Sequence, residues 1–278
     1  MKKAFYILVF AFILVALGCL SACRKDFDFQ PSSGQLEFSR DTVFLDTVFA
    51  NIGSSTYTLK VYNTENEDIV IPNIELQNGQ NSGYRLNVDG LAGKSFTDIP
   101  ILAKDSLFIF VEVTQDITNT NTSEFLYTDE ITFTGTSTTQ SVTLVSLIRD
   151  AVFLFPQEFG NGMTESLFLG NDSDGNEIRI EGFILDDEEL NFNNEKPYVI
   201  YGYAAVPADK NLVIDAGSRV HFHKNSGLLI GNNGRLNING AISLDSVLME
   251  NEVVFEGDRL EPEFASVPGQ WGSIWISP

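Results

Sequence analysis

Leu212-Val213-Ile214-Asp215-Ala216-Gly217-Ser218-Arg219-Val220-His221-Phe222 is followed closely by Leu228-Leu229-Ile230-Gly231-Asn232-Asn233-Gly234-Arg235-Leu236-Asn237-Ile238. An apolar triplet, a Gly turn, an Arg and a second short apolar run recur in the same order. Strands this short, joined by Gly and Asn turns with no helix between them, bury their apolar face only against a neighbouring repeat. The pair therefore predicts stacked rungs of a parallel β-helix across residues 198–278, with Val253-Val254-Phe255 and Ile274-Trp275-Ile276 as later rungs.

Upstream, residues 36–149 change period. Tyr57, Leu59 and Val61 alternate with Thr58, Lys60 and Tyr62, and Leu107, Ile109, Val111 and Val113 share one face. Period-two runs with turn clusters at Asn63 to Asp68, Asn78 to Gly83 and Asp89 to Gly93 predict about eight strands and no helix. The expected form is an immunoglobulin-like β-sandwich. The near-duplicate runs Asp41-Thr42-Val43-Phe44 and Asp46-Thr47-Val48-Phe49 predict a bend where a strand switches sheets. Residues 150–197 read as a connector or small subdomain. Within them, Asn171 to Glu177 has alternate oxygens around a Gly, as calcium loops do, and equally suits a hairpin turn between Leu167-Phe168-Leu169 and Ile178-Arg179-Ile180.

The chain has 278 residues, 43% of them apolar, which suffices for real cores. Its 38 acidic and 17 basic side chains give a net charge of −21, which opposes contact with nucleic acid or anionic lipid. Met1-Lys2-Lys3 followed by apolar Ala4 to Leu20 reads as an export signal. Leu20-Ser21-Ala22-Cys23 resembles the bacterial lipobox. That resemblance implies a signal peptide over 1–22, lipidation at Cys23 and a flexible tether over 23–35. Cys19 then leaves with the signal and Cys23 is consumed by lipid, so neither thiol chemistry nor a disulfide is expected. Loss of Lys2 and Lys3 takes the formal charge from −21 to −23.

Two further resemblances cover most of the chain. Thr47-Val48-Phe49, Ile52-Gly53-Ser54, Lys60-Val61-Tyr62-Asn63, Ile69 to Ile74 and Lys104-Asp105-Ser106 to Val113 resemble the bacterial sandwich domains related to Hydin and major sperm protein, which bind partners or space other domains. Lys196 to Gly202, Ala216 to His223, Phe255 to Leu260 and Pro268-Gly269-Gln270-Trp271-Gly272 resemble the right-handed β-helix surface lipoproteins of Bacteroidota. Members of that family run on through many more rungs, which implies that this chain carries only the first ones. The expected fold is all-β: an immunoglobulin-like β-sandwich followed by the start of a right-handed parallel β-helix.

Candidate chemistry is sparse. His221 and His223, at i and i+2 on a strand, are expected to share one face; they need a third ligand to hold zinc, so no metal and no cofactor is expected. Trp271 and Trp275 are also expected on one face, filling a rung or stacking on sugar. The acids Asp245, Glu250, Glu252, Glu256, Asp258, Glu261 and Glu263 fall in turn-rich segments that read as solvated, where nothing raises a carboxyl pKa as glycan cleavage requires. No catalytic residue is assigned. The expectation is a lipid-anchored, surface-exposed outer-membrane protein acting as a non-catalytic binding or scaffolding ectodomain for a neutral glycan or a protein partner. The competing readings are a β-helix lyase or glycosidase, and an accessory subunit of an uptake or secretion complex.

Overall fold

The computed structural model describes residues 29–117, 124–160, 162–231 and 233–276. The signal segment, Cys19 and Cys23 lie outside these. Among the described residues the regular structure is β-strand with three short 3-10 turns, and no helix is long and apolar enough to cross a membrane, which says nothing about crossing by strands.

Residues 30–149 form an immunoglobulin-like sandwich. One sheet orders Gln30–Pro31, Ile69–Leu76, Glu124–Thr134, Thr139–Arg149 and Thr42–Phe49, with Ser95–Ile101 also on Ile69–Leu76. The other orders Glu37–Phe38, Tyr57–Tyr62, Ser106–Val113, Tyr84–Val88 and Leu91–Gly93. Alternation does the sorting: Leu59, Val61, Ile109 and Val111 from one sheet meet Val43, Ile71, Ile131, Phe133 and Leu144 from the other in one fully buried core. Among the described residues of 36–149 there are ten strands where the sequence suggests about eight, and Gln30–Pro31 adds one more to the sandwich.

The other differences have local causes. Residues 30–35, expected to be part of a loose tether, are docked: Gln30–Pro31 pairs in parallel with Ile69–Leu76. Ser32 is buried, and its carbonyl accepts from the Thr136 N–H. The Asp41/Asp46 duplication marks a bulge rather than a change of sheet. Leu45 and Asp46 together oppose Ser146, with Asp46 at φ 61° absorbing the extra residue. Asn63, at the end of its strand, is buried and donates to the carbonyls of Glu67 and Leu102, pinning two turns together.

From Val152 the chain visits three sheets in turn. The first holds Val152–Leu154, Tyr198–Ile200, Arg219–Phe222 and Val254–Gly257, all parallel. The second holds the Ser166–Asn171/Glu177–Ile184 hairpin, then Tyr203–Val206, Gly227–Ile230 and Ile274–Ile276 in parallel. The third holds Asn191–Phe192, Asn211–Ile214 and Arg235–Ile238. Residues 150–197 are thus not a separate connector, because three of their strands lead these sheets. The two 11-residue repeats also land differently from a simple one-on-one stack. Leu212 pairs with Leu236, while Leu228 pairs with Ala204. Strands beginning at Tyr203, Asn211, Arg219, Gly227 and Arg235 recur every eight residues, three to a circuit, so the repeat visible in sequence matches segments two steps apart on different sheets. Leu154, Phe183, Phe192, Ile200, Leu212, Val220, Phe222 and Leu228 fill the shared interior.

The Asn171 to Glu177 segment is the tight end of the hairpin. Asp172 accepts from the backbone N–H of Asp174 and Asn176, and Gly175 sits at φ 85°. The Asp172 side chain is thereby turned onto its own loop.

Candidate functional site

Outward-facing residues of the first parallel sheet form two ladders. The inner ladder runs Phe153, Val199, His221, Glu256 across adjacent strands. Two residues further along each segment runs the rim ladder of Phe155, Tyr201, His223 and Asp258. The N–H groups of Tyr201, His223 and Asp258 continue the same pairing to Leu154, Ile200 and Phe222.

The inner ladder is covered by the end of the sandwich. Phe49, Ala151 and Val199 form a buried cluster joined by Ile52, Phe153, Tyr201 and Leu260. His221 is 2% exposed, edge-on to the Phe49 ring at 4.8 Å, and its Nδ1–H donates to the Gly257 carbonyl at 3.1 Å. Its Nε2 is buried without a partner. Burial lowers its pKa to about 4, the Gly257 contact opposing and Arg149 and Arg219 reinforcing the shift. His221 therefore packs an interface.

Beside it, Arg259 and Glu261 clasp the sandwich. Glu261 accepts from Arg259 through both carboxylate oxygens, at 2.9 and 3.2 Å, and from the Ser55 N–H at 3.0 Å. Arg259 also donates to the Ser55 hydroxyl and lies 4.5 Å from the Phe264 ring. Burial pushes the Glu261 carboxyl up, but the Arg259 and Ser55 hydrogen bonds outweigh it and hold the pKa at about 2. The expectation that the acids of this region are solvated is corrected for two of them, Glu261 at 2% and Asp258 at 7% exposed, whereas Asp245, Glu250, Glu256 and Glu263 are exposed as expected. Burial also raises the carboxyl of Glu256, 3.6 Å from His221. Asp245, Glu250 and Glu252, on a largely exposed segment, accept from backbone N–H groups of residues 243–248.

The rim ladder is partly open: Phe155 and His223 are exposed, Tyr201 is half-buried and Asp258 is buried. The His223 ring stacks on Tyr201 at 4.5 Å, and its Nδ1 lies 2.7 Å from Asp258 Oδ2. Sequence reading placed no acid beside either histidine, because Asp258 is 35 residues from His223 and arrives only through strand pairing. Burial pushes the Tyr201 hydroxyl up to about 12, with Asp258 adding to the shift. Tyr201 and Glu181 line two adjoining cavities. One, of about 420 Å³, is completed by Phe155, Pro156, Glu158 and Thr164. The other, of about 400 Å³, is completed by Tyr203, His223, Lys224, Asn225 and Gly272 among others.

The tryptophans separate. Trp271 stacks on Phe222 at 4.6 Å against the interior, whereas Trp275 points outward, 40% exposed, tilted over Tyr203 at 5.1 Å. They do not share a face, because Trp271 lies in the turn before the strand and not within it. The histidines also part in role, His221 beneath the sandwich and His223 in the trough. A larger concavity on the sandwich, about 610 Å³, includes Arg85, Asn87, Lys94 and Glu112. Its cations are already engaged, Arg85 by Glu112 and Lys94 by the carbonyls of Gln80 and Ser82. Among the described residues no three His, Asp or Glu side chains converge as a metal site would require.

No family model and no curated protein matches the sequence. Among solved structures, the chain is similar to the ASH/PapD-like domain of human CEP192, at 11% identity, covering 47% of this chain and 94% of that one, TM-score 0.26. It is also similar to the periplasmic chaperone SfaE, at 10% identity over 52% and 82%, TM-score 0.26. The major pilin subunit BcpA of Bacillus cereus matches at 11% identity over 52% of each chain, TM-score 0.24. The fold assignment rests on the strand pairing itself.

Proposed function

We propose that the protein is a lipid-anchored ectodomain of the outer-membrane surface, held through Cys23, which binds a non-acidic glycan without cutting it. In this reading the sandwich is a Hydin-like spacer and the three parallel sheets are the faces of a right-handed β-helix. The observation that carries it is the trough along Tyr201, an open surface lined by Phe155, Tyr201, Glu158 and Glu181, where aromatic rings can stack on sugar and carboxylates can accept from its hydroxyls. The net charge of −21 supports exclusion of acidic polysaccharides.

A second reading, a subunit of a larger surface complex, is favoured by the segment 241–249. Ile242, Leu244, Val247 and Leu248 are 94, 103, 83 and 68% exposed there.

The test incubates residues 24–278 with neutral, basic and acidic glycans, following binding and new reducing ends. Binding of a non-acidic glycan without product, weakened by His223→Ala, supports the proposal. Acid-only binding, or cleavage lost in His223→Ala, sinks it. Cys23→Ala should in turn abolish lipid labelling of the full chain, while Cys19→Ala leaves it intact.

A further inference from the structure

Residues 30–36 are bound into the sandwich more tightly than a linker needs. The N–H groups of Gln30 and Ser32 donate to the carbonyls of Asp68 and Val70, and the Ser32 and Ser33 carbonyls accept from Thr136, Ser137 and Thr138 in the turn before Thr139–Arg149. Leu36 exchanges two hydrogen bonds with the Gln140 side chain, and both Ser32 and Leu36 are buried. Gly34, at φ 93°, lies so close to Gly135 that a Cβ on Gly135 would overlap the Gly34 backbone. Strand direction says where this strap sits. Thr139–Arg149 starts beside Ser33 and ends next to Ala151, in the apolar cluster shared with the three-sheet unit. Gln30–Pro31 pairs with the start of Ile69–Leu76, whose Asn73 lies across from Thr134 at the same turn.

The chain therefore enters the sandwich at the end opposite the three-sheet unit. Residues 24–29 separate Cys23 from Gln30, and seven Cα steps reach at most about 25 Å. The 11 residues of Thr139–Arg149 put the other end of the sandwich about 33 Å beyond the strap. Resting on the reading above that Cys23 carries lipid, we propose that the strap sets the orientation of the molecule on its membrane. The turns at 63–68, 102–105 and 135–138 face the lipid headgroups, and the three-sheet unit with its trough stands outermost. Two features hold it there. The Phe49 cluster and the contact of Glu261 with Ser55 stop the three-sheet unit from folding back along the sandwich. The net charge of −21 opposes the body lying flat on an anionic leaflet. A trough held in this position meets ligands of the medium before it meets the headgroups of its own bilayer.

The experiment measures energy transfer from a fluorophore on one introduced cysteine to labelled headgroups. The acylated full chain is bound to vesicles of phosphatidylethanolamine and phosphatidylglycerol, with the donor at Asn66→Cys, in a strap-end turn, or at Lys224→Cys, on the trough. Both side chains are exposed. The expected result is strong transfer from position 66 and none from position 224. An insert of about twenty Gly and Ser residues after Asp28 adds about 25 Å of slack. It should raise transfer from 224 and lower it from 66 without moving the thermal melt, and Gly135→Val, which evicts the strap, should act in the same direction. Equal transfer from the two positions with the natural tether, or an insert that changes neither, would overturn the orientation and leave the anchor standing. A chain that acquires no acyl group, or a Cys23→Ala chain that stays on the vesicles, would remove the anchor reading and the orientation with it.

Discussion

At the scale of residues, the junction turns on two titratable groups held away from their ordinary behaviour for opposite reasons. His221 has lost water and found only one partner, so its folded pKa falls to about 4. Glu261 has lost water and found three donors, so its carboxyl falls to about 2. For His221 the unfolded chain, with a pKa of about 6.5, binds more protons than the folded one between about pH 6.5 and 4. Stability therefore declines as pH drops through that window and levels off below it. The Glu261 contribution is fully present above about pH 4.5 and is lost as pH falls towards 2. Glu256, raised by burial, works the other way, and Arg149 and Arg219 face the same cluster. Replacing His221 isolates its share: His221→Gln should lose less stability between pH 6.5 and 4 than the wild type, as followed by thermal melts across that range. Parallel curves for the two proteins would show that His221 does not titrate on unfolding.

At the scale of elements, the three-sheet unit depends on how closely successive circuits approach. Tyr203 pairs with Gly227, and a Cβ at Gly227 would lie 2.0 Å from the Ser273 carbonyl oxygen and 2.8 Å from the Tyr203 ring. Backbone on one side and a buried ring on the other leave little room to yield. Gly227→Ala should therefore destabilise the unit by about 1–3 kcal/mol, read as a lowered denaturation midpoint, whereas the same change at open Gly160 should be near neutral. If the two variants melt alike, the close packing at Gly227 is not what sets the spacing.

At the scale of the whole molecule, the sandwich and the three-sheet unit share an interface with its own apolar cluster and its own half-buried ion pair. This predicts one cooperative melt for residues 24–278. Arg259→Ala strands the Glu261 carboxylate under the sandwich, at a cost of about 2 kcal/mol, less than for a fully buried pair because Arg259 is 37% exposed. Combined with Phe49→Ala, which removes the ring over His221, it should split the melt into two transitions in scanning calorimetry. A single transition at the wild-type temperature in the double variant would mean that the units are joined elsewhere.

The sequence alone determined the all-β architecture and the hairpin at Asn171 to Glu177, because period-two alternation and Gly, Asn and Asp turn chemistry are local properties of the chain. Which residues meet was decided by tertiary structure. Asp258 reaches His223, Glu261 reaches Ser55 and Phe49 covers His221 across 35, 206 and 172 residues, and no local pattern encodes such distances. The eight-residue strand spacing was present in the letters, but its threefold visit to separate sheets was not. A repeat seen in one dimension matches any two similar segments, and only the pairing of backbone N–H and C=O groups in space says which of them stack.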